Sequence, residues 1–308
     1  MKAFYNIGIR SYSFGVKLAG VFGNSKAKKW SIGRKYWRKT IKNQFSSEGE
    51  NIWIHTTSLG EFEQVKPLIE KIKGDSSFAK HKIVVTLFSP SGYENSKNYD
   101  LADFTFYLPI DTKKNSTDFI QLINPSIAIF VKYDFWFNYL ALLQKKEIPH
   151  LFFGCNFREN QIYFKSINKW QIEILQKINR LCTLNQRSLD VLKKHGFSNM
   201  QISGDTRFDK VIQNANRCQP IALIEHFKQN KKLLILGSSW EKEEDILMRY
   251  LKENVHTACE NIIQGDLKAM GGEGGLIAVD AQGEIHFAMN SSGIYAHPHN
   301  SPCNHYYD

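Results

Sequence analysis

Residues 51–73 read NIWIHTTSLGEFEQVKPLIEKIK, and this stretch decides the fold class. An apolar run at 52–55 indicates a buried strand, and apolar residues at helical spacing from Val65 to Ile72 indicate a helix that starts near Glu61. A short polar turn through Ser58 and Gly60 joins the two elements. A strand followed so closely by a helix is half of a crossover unit, so the stretch predicts a parallel sheet.

The same alternation continues along the chain. Strands are predicted at 82–88, 104–108, 126–131, 150–154, 181–184 and 200–203, and helices after Gly92 and near 136–145, 163–178 and 186–195. Residues 210–231 are interpreted as a connection. Short apolar runs separated by helices are typical of an open α/β sheet with parallel strands.

The C-terminal third has a different pattern. A strand at 232–236 and a turn at Gly237-Ser238-Ser239, with a helix from Glu241, predict the first unit of a second α/β domain that does not continue. Two further strands, Leu276–Val279 and Glu284–Met289, predict an antiparallel hairpin. The loosely spaced histidines that follow show no periodicity and predict no metal site.

Positive charge is concentrated at the N-terminus. The 308 residues carry a formal net charge of +10, and residues 1–47 contain Lys and Arg but no Asp or Glu. Apolar residues recur there at roughly helical spacing, at Phe4, Ile7, Phe14, Leu18, Val21 and Phe22. This pattern favours a helix that lies in a membrane interface against anionic headgroups. A solvated basic arm or a nucleic-acid patch is the alternative.

Charged residues and cysteines argue against other classes. Lys2, Arg10 and Lys17 interrupt the N-terminal apolar positions, so neither a secretory signal nor a spanning helix is predicted. The five cysteines form no CxxC pair, so neither a disulfide framework nor a zinc site is predicted, and a reducing compartment is favoured.

Three loops follow predicted strands at the edge where open parallel sheets bind ligands. In the first, Ser58 and Gly60 are candidates to hold an anion, and Glu61 is a candidate general base. Glu61 has a simpler interpretation as a carboxylate that complements the helix dipole.

The second and third loops contain Lys132, Asp134, Asn156 and Arg158. The charged pair in the second loop would grip a polar substrate, and Arg158 would bind a carboxylate or phosphate through two hydrogen bonds. Taken alone, the second loop is better interpreted as a surface turn whose aromatic residues pack under the helix, and Arg158 as a solvated surface arginine.

Six motifs together resemble one family. WIHTTSLGEFEQVKPLI, TLFSPSGYENSK, YLPID, VKYDFWFN, LFFGCNFRENQ and ISGDTRFDKV come in the order and spacing of the bacterial 3-deoxy-D-manno-octulosonic acid (Kdo) transferases. The resemblance runs from the N-terminus to about residue 254. It implies a two-domain glycosyltransferase fold of the GT-B type, anchored through its N-terminus on the cytoplasmic face of the inner membrane as a monotopic protein.

The resemblance also implies the reaction. Family members move Kdo from CMP-Kdo to the phosphorylated lipid A precursor in lipopolysaccharide synthesis, with inversion and without a metal or cofactor. The glutamate of the family's Ser-x-Gly-Glu turn is the general base, and here that residue is Glu61.

Other family positions carry over to candidate binding residues. The acidic positions of the second family motif fall on Lys132 and Asp134, so only Asp134 is expected to support catalysis. Arg158 and Arg207 match basic family positions, and Gly237-Ser238-Ser239 matches a Gly-Ser-Thr turn, which makes Ser238 and Ser239 candidate substrate contacts.

Residues 256–295 resemble a different family, the C-terminal end of the isoaspartyl peptidases and L-asparaginases. The nucleophilic threonine of that family lies in a part that has no counterpart in this sequence, so no hydrolase activity is expected. Four segments are therefore predicted: a basic interface segment at 1–47, an acceptor-binding domain at 48–212, the start of a nucleotide-binding domain at 213–255 and the tail at 256–308.

These assignments leave two main functions. One is Kdo transfer, which we expect to be weakened because half of the donor site is absent from the sequence. The other is a non-enzymatic lipid-binding remnant at a membrane surface. A nucleic-acid binder is not favoured, because bulk charge without a recognition motif gives only nonspecific binding.

Overall fold

The computed structural model describes residues 2–46, 48–165, 169–216, 219–229, 233, 235, 237, 239–240, 255–269, 275–279 and 285–289. The chain divides into two compact units, residues 1–218 and 219–308. The predicted division into four segments is not tested by this arrangement and stays a prediction.

The first unit contains a sheet of seven strands. They are β1 (Asn51–Thr56), β2 (Lys82–Leu87), β3 (Phe104–Tyr107), β4 (Pro125–Val131), β5 (His150–Cys155), β6 (Arg180–Thr183) and β7 (Met200–Ile202). The spatial order is β3-β2-β1-β4-β5-β6-β7, and every pairing is parallel. The α/β class with a parallel sheet is therefore confirmed.

Ten helices of the first unit have described bounds. They are α1 (Lys2–Val21), α2 (Ser25–Gly33), α3 (Trp37–Gln44), α4 (Leu59–Gly74), α5 (Pro90–Ser96), α6 (Lys113–Ile123), α7 (Phe137–Lys145), α8 (Lys169–Leu175), α9 (Gln186–Lys194) and α10 (Thr206–Asn216). Ser76–Phe78 and Ile162–Phe164 form short 3-10 turns.

Several boundaries differ from the sequence predictions. Helix α6 was not predicted, because its first two turns are polar and its apolar residues lie only in the second half. The segment interpreted as a connection begins inside α10. Helix α4 begins two residues before Glu61, because Ser58 and not Gly60 caps it.

The core lies on both faces of the sheet. One face buries Trp53, Phe119, Phe130, Tyr139 and Phe152 among its larger side chains. The other buries Ile52, Ile54, Phe62, Val65 and Ile129. Helices cover parallel sheets on both faces, which explains why the central strands β1, β2 and β4 are buried along nearly their whole length rather than at alternate residues.

The N-terminal helix is joined to the sheet by a buried carboxylate. Tyr5 on α1 donates a hydrogen bond of 2.6 Å to Asp111 Oδ2. The backbone N–H groups of Asn138 and Tyr139, in the first turn of α7, donate to the same carboxylate at 3.0 and 3.1 Å. Burial raises the pKa of Asp111 to about 6, and these hydrogen bonds oppose the shift. The carboxylate therefore links α1 to the start of α7.

The opposite side of α1 is apolar and exposed. Phe4, Ile7, Phe14, Val21 and Phe22 are each at least 60% exposed. Residues spaced by three, four and seven positions share one face of a helix, so α1 presents an apolar stripe to the solvent. Of the helices in the described ranges, none is both long and apolar enough to cross a bilayer.

The second unit contains the hairpin that the sequence predicts. Strands β8 (Gly275–Val279) and β9 (Ile285–Met289) pair antiparallel, and Ala288 is buried against Cys259 and Ile263. Within its described residues, this unit has the helices α11 (Ala222–Lys228) and α12 (Val255–Glu260) and a π-helix at Asn261–Leu267. The strand predicted at 232–236 and the helix predicted from Glu241 lie mostly outside the described residues.

Candidate functional site

The candidate site lies between the ends of β1 and β4. These neighbouring strands are parallel, so the loops that follow them leave the sheet at the same edge. The chain extends from β1 toward β3 on one side and from β4 toward β7 on the other. In open α/β sheets the crevice at such a switch point is where ligands bind.

Helix α4 begins with a capping box. Ser58 is the N-cap residue, and its Oγ accepts a hydrogen bond of 3.3 Å from the backbone N–H of Glu61. Glu61 Oε2 accepts in return from the N–H groups of Thr57 and Ser58, at 2.8 and 3.0 Å. A Ser at the N-cap and a Glu three residues later are the residue types that this motif requires. The cap fixes one oxygen of Glu61, and Oε1 accepts no hydrogen bond from a described residue.

Thr57 holds a second carboxylate in the same crevice. Its Oγ1 donates a hydrogen bond of 2.8 Å to Asp134 Oδ1, while its backbone N–H donates to Glu61. Asp134 belongs to the loop after β4, so the contact joins residues 77 positions apart. The sequence analysis did not single out Thr57, whose only local signal is its place just before the N-cap.

The environment of Asp134 favours its protonated form. Its side chain is 13% exposed, and Oδ2 is buried with no hydrogen-bond partner among the described residues. Burial, and after it the negative charge of Glu61, raise the pKa of Asp134 to about 8. The second family motif led us to expect an isolated supporting acid, but the structure pairs Asp134 with Glu61.

His55 supports the loop that carries Asp134. Its Nε2 accepts a hydrogen bond of 2.9 Å from Trp136 Nε1, so Nδ1 carries the proton and donates to the carbonyl of Thr86 at 3.1 Å. Burial lowers the pKa of His55 to about 3, so the ring is neutral at pH 7. The approach of 3.7 Å between Nε2 and Asp134 Oδ2 is therefore not an ion pair.

The loops after β4 and β5 are tied together. Tyr133 donates its hydroxyl hydrogen to the carbonyl of Asn156, and the N–H of Asn156 donates back to that hydroxyl at 2.8 Å. Lys132 has a left-handed backbone with φ of 55° and is half-buried. Arg158 is exposed, and its backbone N–H donates to Gln161 at 3.2 Å. The candidate residues Lys132 and Asn156 are thus on loops that contact each other.

Arg207 is paired with a neighbouring acid. Its Nε lies 3.0 and 2.8 Å from the two carboxylate oxygens of Asp205, and its Nη2 lies 2.5 Å from Oδ2. Burial alone would raise the pKa of Asp205, but the hydrogen bonds from Arg207 hold that pKa below its usual value. Thr206 donates to the carbonyl of Gln64 at 2.6 Å, which ties α10 to α4. The carboxylate of Asp205 therefore offsets the positive charge that Arg207 would offer to an anion.

The structure does not place Gly60, Ser238 or Ser239 as the sequence analysis predicted or does not test their placement. Gly60 does not form a tight turn: it lies in α4, is exposed, and has open space around the position of a Cβ. Ser238 lies outside the described residues, and Ser239 belongs to the second unit, away from the residues for which a helix or strand is described. Within the described ranges, no three His, Cys, Asp or Glu side chains are placed as metal ligands would be.

Comparison with known proteins identifies relatives of this chain. The family model of 3-deoxy-D-manno-octulosonic-acid transferase (kdotransferase) matches residues 31–210. The 3-deoxy-D-manno-octulosonic acid transferase of Haemophilus influenzae is 23% identical over 208 residues, which are 65% of this chain and 47% of that protein. The enzyme of the same name from Aquifex aeolicus is 23% identical over 203 residues, 66% of this chain and 50% of that protein. The chain thus spans about half the length of these curated relatives.

Two other similarities are weaker or shorter. The UDP-GlcNAc 2-epimerase of Neisseria meningitidis superposes with a TM-score of 0.45 and 12% identity, over 58% of this chain and 53% of that one. The isoaspartyl peptidase of Salmonella typhimurium is 45% identical over 49 residues, 16% of this chain and 16% of that protein. The second match is short and partial, in line with the resemblance noted in the sequence.

Replacing Asp134 with asparagine tests its electrostatic environment. An unfolded aspartate ionises near its ordinary pKa of 3.8, whereas the folded one ionises at about 8. Between these values the unfolded state has already lost a proton that the folded state keeps, so wild-type stability falls as pH rises. We expect Asp134→Asn to gain at least about 1.4 kcal/mol relative to wild type from about pH 4 to about pH 8, the free energy of one pKa unit.

Urea unfolding across that pH range measures the gain. The matched control is Asp100→Asn, which changes an exposed aspartate outside the crevice and is expected to show no comparable trend. A stability difference for Asp134→Asn that does not change with pH would contradict the raised pKa.

Proposed function

Because the chain belongs to the 3-deoxy-D-manno-octulosonic-acid transferase family, we propose that it transfers Kdo from CMP-Kdo to the lipid A precursor. The reaction would serve lipopolysaccharide biosynthesis and proceed with inversion at the anomeric carbon. The observation that carries the proposal is the carboxylate pair of Glu61 and Asp134, held by Thr57 at the switch point of the sheet.

Glu61 is proposed as the general base. Oε2 is held by two backbone N–H groups, which leaves Oε1 to accept the proton of the acceptor hydroxyl. As that proton moves to Glu61, the hydroxyl oxygen forms a bond to the anomeric carbon of Kdo. The bond from this carbon to the phosphate oxygen breaks, and CMP leaves with the electron pair. One displacement step without a covalent enzyme intermediate gives inversion.

Asp134 is proposed to limit the negative charge of the crevice. Its raised pKa of about 8 leaves it mainly protonated at neutral pH. The crevice then carries one carboxylate charge instead of two, which favours the approach of anionic substrates. A protonated carboxyl also donates a hydrogen bond, and the unpartnered Oδ2 is the atom placed to do so.

Basic and polar residues around the crevice are proposed to bind the anionic groups of the substrates. Lys132, Asn156 and Arg158 lie on the loops after β4 and β5, beside the carboxylate pair along the sheet edge. Ser58 and Gly60 flank the open first turn of α4. Arg207, Ser238 and Ser239 are proposed as substrate contacts from the family motifs alone.

The protein is proposed to bind the cytoplasmic face of the inner membrane through its N-terminal segment, without crossing it. The exposed apolar stripe of α1 supports this location. Lys and Arg residues in the same segment have no acidic neighbours in sequence, which favours an anionic lipid surface. The acceptor of the proposed reaction is itself a lipid, so a protein at the membrane surface meets it directly. No nucleic-acid partner is proposed.

A lipid-binding protein without transfer activity is the second candidate, because the exposed stripe of α1 would serve either function. Binding of CMP-Kdo to the chain, measured by calorimetry, separates the two. Saturable binding supports the transferase, and a chain that binds lipid vesicles but neither binds nor consumes CMP-Kdo is the lipid-binding protein.

Replacing Glu61 with glutamine tests the proposed base. The amide oxygen of glutamine still accepts the two N–H groups of the capping box, so the start of α4 is retained. Glutamine accepts no proton at neutral pH, and we expect kcat for Kdo transfer to fall about 10²- to 10⁴-fold. Turnover is measured with CMP-Kdo and a lipid A precursor.

Glu63→Gln is the matched control, since Glu63 lies on the same helix and pairs with Lys66. It is expected to keep kcat close to that of the unchanged chain. Equal kcat values for Glu61→Gln and the unchanged chain would rule out Glu61 as the base.

Replacing Phe14 with serine tests the membrane surface. Phe14 is 64% exposed on the apolar stripe of α1. Burying a phenylalanine side chain contributes about 1.5–3 kcal/mol, so its loss is expected to weaken binding to vesicles about tenfold or more. Co-sedimentation with vesicles of phosphatidylcholine and phosphatidylglycerol measures this change.

Phe78→Ser serves as the comparison, because Phe78 is 37% exposed and lies outside the N-terminal helices. Its vesicle binding is expected to match that of the unchanged chain. If both substitutions weaken binding equally, the stripe of α1 is not the membrane-binding surface.

A further inference from the structure

A second cavity lies away from the carboxylate pair, beside the N-terminal helices. Its volume is about 480 Å³, and its lining includes Lys17, Trp30, Ser31, Arg34, Lys35 and Ile110. These residues come from α1, α2, the turn before α3 and the segment after β3. We call it the N-terminal cleft.

The wall of the N-terminal cleft is held firmly against the sheet. Gly33, at the end of α2, packs so close to Tyr107 that a Cβ would lie 2.3 Å from the ring. The adjacent Arg34 donates hydrogen bonds to the carbonyls of Leu108 and Phe88, at 2.8 and 2.7 Å. These contacts join α2 to the ends of β3 and β2, so the cleft is built by the fold itself.

The N-terminal cleft carries positive charge without a matching acid. Arg34 is 7% exposed and forms no ion pair with a described residue; its guanidinium instead lies over the rings of Trp30, Phe88 and Tyr107 at 4.3–4.9 Å. Lys17 and Lys35 are exposed at the cleft and likewise form no ion pair within the described ranges. The lining contains no Asp or Glu. Burial lowers the pKa of Arg34 to about 9, so it remains charged at pH 7.

Two lining residues also have unused hydrogen-bonding groups. Trp30 Nε1 and Ser31 Oγ are buried and have no hydrogen-bond partner among the described residues. Trp30 as a whole is only 4% exposed. Neither atom has surface exposed to the cleft, so the two groups make the wall polar but do not themselves contact a ligand in it.

The edge of the cleft is apolar. Ile32 lines it and is 61% exposed, and Ile110, Pro109 and Trp37 also contribute to the lining. A small inorganic anion would leave these side chains uncovered, whereas a lipid would place its phosphate near the cations and its glycerol and acyl carbons against them.

We propose that the N-terminal cleft binds the phosphate group of a membrane lipid, with Lys17 and Lys35 contacting the phosphate and Ile32 and Ile110 contacting the apolar part. The buried charge of Arg34, the two exposed lysines and the lack of Asp or Glu in the lining favour an anion at this place. The site shares no residue with the Glu61–Asp134 crevice, and its test needs neither a sugar donor nor a bilayer. A negative result for this site can therefore be distinguished from a negative result for Kdo transfer or for membrane binding through the apolar stripe of α1.

The test measures binding of monomeric dihexanoylphosphatidic acid to the full chain by calorimetry. Saturable binding at one site is expected, and Lys17→Gln/Lys35→Gln is expected to weaken it at least about tenfold, given the contribution of each lysine near a lipid phosphate. The matched control is Lys26→Gln/Lys42→Gln, which removes the same charge from exposed positions outside the cleft lining. This control is expected to bind like the unchanged chain.

Inorganic phosphate is the second probe. Comparing its affinity with that of the lipid shows whether the cleft binds a lipid phosphate or any free phosphate. Much weaker binding of inorganic phosphate than of the lipid supports the proposal. Equal affinity for the two probes would overturn it, because the apolar edge would then contribute nothing. Equal losses in the two double variants would also overturn it, because general positive charge would explain the binding. No saturable lipid binding by the unchanged chain would overturn it directly.

Discussion

Thr57 donates two hydrogen bonds, one from its backbone to Glu61 and one from its hydroxyl to Asp134, and the candidate site depends on them. The parallel sheet brings the ends of β1 and β4 together, but it does not by itself bring two carboxylates together. Two like charges in a half-buried crevice repel each other, and protonation of one relieves the repulsion. Burial raises the pKa of Asp134 and the charge of Glu61 adds to the shift, whereas the hydrogen bond from Thr57 opposes it.

The crevice and the N-terminal helices share one aromatic neighbour. Phe88 lies 4.7 Å from the ring of Trp136, which bonds to His55, and 4.6 Å from the guanidinium of Arg34. The cationic N-terminal segment is therefore packed beside the carboxylate crevice within the first unit. For the proposed transfer to a lipid, this packing would keep the proposed membrane-binding surface of the N-terminal helices near the carboxylate crevice.

Local signals in the sequence were sufficient to predict the strands and to single out Glu61 as a candidate residue. Runs of apolar residues predicted every strand of the seven-stranded sheet, because parallel strands buried on both faces leave no polar alternation to confuse the pattern. The apolar spacing from Val65 to Ile72 likewise placed the start of α4 within two residues, although the capping box of Ser58 and Glu61 was not predicted. These features depend only on neighbours in sequence.

Long-range contacts and polar helices could not be predicted from local sequence in this way. The contact between Thr57 and Asp134 joins distant parts of the chain, and nothing local to either residue indicates it. Helix α6 was not predicted because residues 113–118 show no apolar periodicity, although Thr112 caps the helix. Arg207 was predicted to bind substrate from its motif alone, and the structure adds its pairing with Asp205.

The pKa of Asp134 tests most directly whether the two carboxylates form one unit. We would measure it by carbon-13 NMR titration of aspartate carboxyl groups, with Asp134→Asn to assign the signal. The account predicts titration at about pH 8 in the unchanged chain and a lower pKa in Glu61→Gln, because that substitution removes the neighbouring negative charge. A titration near the ordinary value of 3.8 that Glu61→Gln leaves unchanged would contradict it.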